Sequence, residues 1–165
     1  MYKIKNLVNQ LLAIFCVSLL VVLVICVIWQ VISRYILGSP SIATDELARF
    51  LFMWVGLIGA AYATGLKRHL AIDLLLMKVQ GKQKDTLELV ILATMLFFAG
   101  FILVYGGASL AWDTHQTGQI SPSLGIDMGL VYLCLPVSGA IMVFYVLIEL
   151  IAKLQSLFNS KRDIQ

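Results

Sequence analysis

Glu46 and Arg49 stand one helical turn apart at the mouth of a long apolar stretch, 45–73. Residues i and i+3 share a helix face, so the spacing predicts an ion pair between them. Charge at a bilayer boundary is costly and points to function by default. Two uses follow. The pair positions the helix at the interface, or these groups, together with Arg34, hydrogen-bond a partner protein or a neighbouring helix. His69 and Asp73 are a second candidate pair at i and i+4. A metal site needs at least a third converging ligand. The other histidine, His115, is expected on the opposite membrane face, so no metal site is predicted. His69 is instead expected to cap or anchor a short surface helix. Cys16, Cys26 and Cys134 lie in apolar segments without a C-x-x-C spacing, which suits small buried hydrophobes.

Reaction chemistry has little to work with. There is no nucleophile–base pair, phosphate-binding loop or dinucleotide fingerprint. Histidine pairs for haem and paired cysteines for thiol redox work are missing from the spans. No catalytic residue or cofactor is predicted, and the chain is not expected to be an enzyme.

The elements that carry these residues are membrane helices. The chain has 165 residues, of which 61% are hydrophobic and 13% charged. Soluble domains carry about 45–50% apolar and about 25% charged residues. The basic residues are scattered and form no stripe, so nucleic acid is not an expected partner; the phospholipid bilayer is. Spans are predicted at about 7–32, 42–66, 87–111 and 128–151, in a single membrane domain covering 1–165. The first run is too long for a signal peptide and is read as an uncleaved span. Ser39 is expected to cap the second span and Pro40 to open it. Residues 69–79 are too short to cross and predict an amphipathic helix on the cytoplasmic surface. Pro136, with Ser138 and Gly139 after it, predicts a kink in span four.

Lys and Arg set the orientation. Two at the N-terminus, five between spans two and three and three in the tail make ten on one side, against Arg34 and Arg49 on the other. Both termini are therefore expected in the cytoplasm. The fold class is an all-α integral membrane protein of four transmembrane helices. It is expected as a small bundle built around span two.

Small residues recur at Gly56, Gly59, Ala60 and Ala63 of span two, and at Ala93, Gly100 and Gly107 of span three. Such stripes let helix backbones approach closely in lipid, either inside the bundle or against a second protein.

Arg34-Tyr35, the run Asp45-Glu46-Leu47-Ala48-Arg49 with Trp54, Gly59 and Ala60, and then His69-Leu70 and Asp73, together resemble the small membrane subunit of tripartite ATP-independent periplasmic (TRAP) transporters. The likeness extends over nearly the whole chain. It implies a bacterial inner-membrane protein that scaffolds a large, elevator-type subunit in Na⁺-driven import of an organic acid. Sialic acid or a C4-dicarboxylate would be the cargo, delivered by a periplasmic substrate-binding protein that the small subunit helps to dock. By position, Arg34, Glu46, Arg49 and Trp54 would be structural or interface residues, with Gly56, Gly59 and Ala60 in the packing stripe. His69 and Asp73 would fix the surface helix. The competing expectation is a self-sufficient small carrier or channel formed by oligomers.

Overall fold

The computed structural model of the chain describes residues 2–66 and 82–162. It is all-helical, apart from one isolated antiparallel bridge between Ile120 and Asp127 among the described residues. Helix α1 is Tyr2–Tyr35 and α2 is Ile42–Gly65. The third span runs as α3 (Lys82–Phe97), a π-helical segment (Phe98–Gly106) and α4 (Gly107–Gln116). The fourth is a short α5 (Met128–Tyr132) followed by α6 (Cys134–Arg162). Among the described residues, four apolar stretches are long enough to cross a membrane: Asn6–Tyr35, Ile42–Gly65, Gln83–Gln116 and Met128–Gln155. The expected surface helix at 69–79, with His69 and Asp73, lies outside the described residues.

Three of the four helices run past the ends expected from hydropathy. Hydropathy locates the part that needs hydrocarbon, whereas the backbone stays helical into the interface. At 1.5 Å per residue, the 34 residues of α1 reach about 51 Å, well over the ~30 Å hydrocarbon core.

Two connections share one end of the helices, here the loop rim: the turn 36–41 and the loop 117–127. The opposite end is the terminal rim. Ser33 organises the turn. It is buried, its carbonyl accepts the Ser39 N–H at 3.1 Å, and its hydroxyl accepts the Ser41 N–H at 3.3 Å. Gly38 takes φ 63° to reverse the chain. Closing this turn uses two more residues than expected. Ser41 rather than Ser39 occupies the N-cap position, and Pro40 lies before the helix instead of opening it.

Helix α1 packs along α2, α2 packs against α6, and α6 packs against the third span. Spans one and three share no extensive contact among the described residues. The arrangement is therefore an open series, 1-2-4-3, with α2 and α6 as the inner pair, rather than a bundle centred on span two. Leu12, Ile58 and Tyr145 form the buried cluster where spans one, two and four meet, with Trp54 and Tyr62 packed against it.

The seam between spans three and four is made by glycines. A Cβ on Gly107 would lie 2.6 Å from Leu135 Cβ, and one on Gly139 would lie 2.7 Å from Leu103 Cβ and 3.0 Å from the Ala99 carbonyl oxygen. Gly129 sits equally close to the Ala111 carbonyl, at 2.8 Å. The seven-residue stripe expected on span three is corrected: Ala93 is exposed, and the buried line is Ala99, Leu103, Gly107 and Ala111. Residues four apart drift by about 40° per step on an α-helix of 3.6 residues per turn. The wider turns of the π segment take up that drift and keep this line facing α6. Span four does break near Pro136, as expected. The break falls at Leu133, because Pro136 has no N–H to give the Tyr132 carbonyl while Val137 still bonds Leu133 at 3.1 Å.

The stripe on span two behaves differently. A Cβ on Gly56 or Gly59 would meet nothing within 4 Å, and Ala60 is exposed. Gly107→Ala and Gly139→Ala should each lower the stability of the detergent-solubilised chain by roughly 1–3 kcal/mol through overpacking. Gly56→Ala and Gly59→Ala should leave it unchanged or raise it by up to about 1 kcal/mol through helix propensity. Thermal unfolding of the four variants checks this, and an equal loss in all four would contradict the glycine seam.

Candidate functional site

Charged side chains gather at the two rims, and the stretches between them carry none. No Asp, Glu, Lys, Arg or His falls within 6–33, 50–65, 89–112 or 128–148. At the loop rim, the ion pair is not the one expected. Arg49 pairs with Asp45, and Gln30 of α1 donates to the same Asp45 carboxylate. An acid four residues before a base lies along the same helix row, with the orientation that favours pairing. Glu46, about 100° further round, points elsewhere: its Oε2 accepts the backbone N–H groups of Ser123 at 2.9 Å and Leu124 at 3.2 Å. Arg49 remains largely exposed, and Arg34 is exposed at the end of α1, near enough for its charge to act on Asp45. An open groove of about 610 Å³ lies beside this cluster, lined by Leu23, Val27, Ala48, Phe52 and Met53 below Asp45 and Arg49.

The loop after span three has its own polar knot. The Asp127 carboxylate accepts the Gly129 N–H at 2.7 Å, capping α5, and also pairs with His115 Nδ1. The hydrogen bond from His115 holds the Asp127 carboxyl below its ordinary value, with the Gly129 amide adding to this.

At the terminal rim, Lys153 reaches Asp85 at 2.7 Å and Glu88 at 2.5 Å, tying α6 to α3. Tyr145 donates its hydroxyl to Asn9 Oδ1, tying α6 to α1. Gly65 makes room for that contact, since a Cβ there would lie 2.6 Å from the Tyr145 ring.

The structure thus brings Arg34, Arg49 and Glu46 to one rim and separates the last two into different contacts. Trp54 lies inward on the buried cluster, while Gly56, Gly59 and Ala60 lie on the outer surface of α2. Asp45 belongs to the run singled out in the sequence, and its i,i+4 spacing to Arg49 is the signal for the pair that the structure forms. The carboxylates of Asp85 and Glu88 at i and i+3 were another. Their cation, 65 and 68 residues away, carried no local signal. Among the described residues, no three His, Cys, Asp or Glu side chains converge as metal ligands. The arrangement can bind and brace.

Residues 23–156 match the family described as tripartite ATP-independent periplasmic transporters, DctQ component. The chain belongs to that family. It is a small permease subunit of a TRAP transporter and a multi-pass membrane protein. It is 30% identical over 160 residues to the sialic acid TRAP transporter small permease protein SiaQ of Vibrio cholerae, covering 94% of this chain and 84% of that one. It is 31% identical over 107 residues to the C4-dicarboxylate TRAP transporter small permease protein DctQ of Rhodobacter capsulatus, covering 65% of this chain and 47% of the relative. A third relative is the sialic acid TRAP transporter permease protein SiaT of Haemophilus influenzae. There, 120 residues match at 30% identity, which is 70% of this chain but 18% of the relative. The small permease thus corresponds to a fraction of that longer protein.

The pair at Asp127 gives a pH prediction. Its folded-state carboxyl titrates below the unfolded one, so its stabilisation is present above the unfolded value and is lost as pH falls through the folded value. In His115→Ala, the Asp127 carboxyl should titrate higher, and the loop should lose order at a less acid pH. A carboxyl ¹³C NMR titration of Asp127 in both forms measures this. An unmoved titration would remove His115 as the cause.

Proposed function

We propose that this small permease is the non-catalytic membrane subunit of a Na⁺-driven importer of an organic acid, bracing a large elevator-type subunit. The observation that carries this reading is the lack of acids, bases and histidines through the middle of the spans. A carrier's substrate site near mid-bilayer calls for broken helices and polar groups around a cavity. Here the acids, bases and histidines of the spans sit at the rims, and the open series 1-2-4-3 offers broad apolar faces on both sides. The unpacked Gly56, Gly59 and Ala60 surface of α2 suits close approach by a helix of another chain.

Sialic acid is the preferred cargo of the complex, because the relative covering most of this chain at 30% identity is named for it; the C4-dicarboxylate relative supports the wider carboxylate class. In this reading the terminal rim faces the cytoplasm, with ten Lys and Arg against two, and the loop rim faces the periplasm of the bacterial inner membrane. The periplasmic binding protein then meets the loop rim. Arg34 and Arg49 are exposed there, and Arg49→Ala should weaken co-purification of the large subunit more than it lowers expression.

Reconstitution tests the whole assignment. Liposomes containing this chain alone should take up no sialic acid, and adding the large subunit, the binding protein and a Na⁺ gradient should produce uptake. Uptake by the isolated chain would make it a self-sufficient carrier and overturn the bracing role.

A further inference from the structure

Helices α1 and α2 leave a trough between them at the loop-rim end, the groove of about 610 Å³ beside Asp45 and Arg49. Its α1 wall is Leu23, Val27 and Gln30, at i, i+4 and i+7, and the same helix face ends on Arg34 at i+11. Its α2 wall is Phe52 and Met53, one turn beyond Arg49, and the small, buried Ala48 gives it depth. Charge at the head of the groove is unbalanced. Both oxygens of the Asp45 carboxylate are taken, Oδ1 by Gln30 and Oδ2 by Arg49. The Arg49 side chain is nonetheless 72% exposed, so donors of its guanidinium face outward. Arg34 is exposed and forms no ion pair among the described residues. Two cations against one carboxylate leave one positive charge in surplus. No other Lys or Arg falls within 34–49 or 113–128. The far side of the rim is acidic, with Asp113 exposed and Asp127 paired to His115. An anion is therefore drawn to the α1–α2 end.

The composition and length of the groove select its occupant. It runs along two membrane helices, so a chain lying in it lies along the spans. From Leu23 to Arg34 it extends about 16 Å at 1.5 Å per residue, close to half of the ~30 Å hydrocarbon core and so to the depth filled by the acyl chains of one leaflet. An apolar trough of that length with guanidiniums at one end matches an amphiphile with an acyl tail and an anionic head. Guanidinium donates paired N–H groups to phosphate oxygens in a matching fork geometry. We propose that the α1–α2 groove holds one acyl chain of an anionic phospholipid, with the lipid phosphate at Arg34 and Arg49. Asp45 and Gln30 are positioning residues: Asp45 holds Arg49 at the groove, and Gln30 ties that carboxylate to α1. The match is between groove and lipid, and it holds whichever face of the membrane the loop rim occupies. It goes beyond the bracing role, which needs no bound lipid.

The test places a photoreactive benzophenone side chain at Phe52, on the groove wall, or at Phe101, an exposed ring on span three. The full chain is reconstituted in nanodiscs of phosphatidylglycerol and phosphatidylcholine with identical tails, irradiated, and its lipid adducts identified by mass spectrometry. At Phe52, phosphatidylglycerol should be enriched about fivefold over the disc composition, the scale of one surplus cation acting on one anionic headgroup. At Phe101 the adducts should match the disc. Arg34→Gln should return Phe52 to the disc composition; Arg34 is chosen because Arg49 also has a part in holding the large subunit. Val27→Trp fills the groove and should lower the lipid adducts at Phe52 while leaving those at Phe101 unchanged, so the test does not hang on one arginine. Disc composition at Phe52 in the otherwise unaltered chain overturns the inference. So does enrichment that survives Arg34→Gln, equal enrichment at both positions, or adducts at Phe52 undiminished by Val27→Trp. Adducts to a second copy of the chain in place of lipid also overturn it, by giving the groove to a protein. None of these outcomes touches the proposed function, which liposome uptake decides.

Discussion

Close backbone approach between spans three and four is the constraint on which the rest of the structure depends. Lipid supplies no hydrophobic drive to press helices together, so packing contact and a few polar ties must hold them. Gly107, Gly129 and Gly139 bring the two backbones within side-chain-free distance. The π segment keeps the opposing line of Ala99, Leu103 and Gly107 in register with them. With that seam fixed, α6 presents Tyr145 to α1 and α2, and α5 carries the capping Asp127 to its place beside His115. Loosening the seam would move both rims at once.

Polar ties then secure the ends of an otherwise greasy assembly. Asn9 with Tyr145, and Lys153 with Asp85 and Glu88, hold the terminal rim. Gln30 with Asp45, and Glu46 with the loop amides, hold the loop rim. Each joins two elements that are distant in sequence. Together they tie the ends of helices whose first and third spans share no extensive contact among the described residues.

What the sequence made legible was whatever is written in local composition. Long apolar runs located all four spans, and Pro136 marked the break in the last one. Glu46 and Arg49 do not pair as their i,i+3 spacing predicts: spacing alone allows both i+3 and i+4, and the loop amides that claim Glu46 belong to backbone that sequence does not place. The small stripe on α2 and the glycines of span three looked alike on paper. Only the packing distinguishes them, since one faces outward and the other carries the seam. A π segment leaves no mark in hydropathy, because its signature is a hydrogen-bond register rather than a residue type.

The open series 1-2-4-3 has one more consequence. Four helices in a ring shield one another, whereas four in a row keep most of their perimeter, and here α1 buries only 11% of its most apolar window. The annulus of lipid around such a row is large for its mass. Any mismatch between helix length and bilayer thickness therefore acts first on this exposed perimeter, at a modest cost per Å. A membrane a few Å thinner would tilt the long first helix before it disturbed the glycine seam, so bilayer composition acts on this subunit from its outer edge inward.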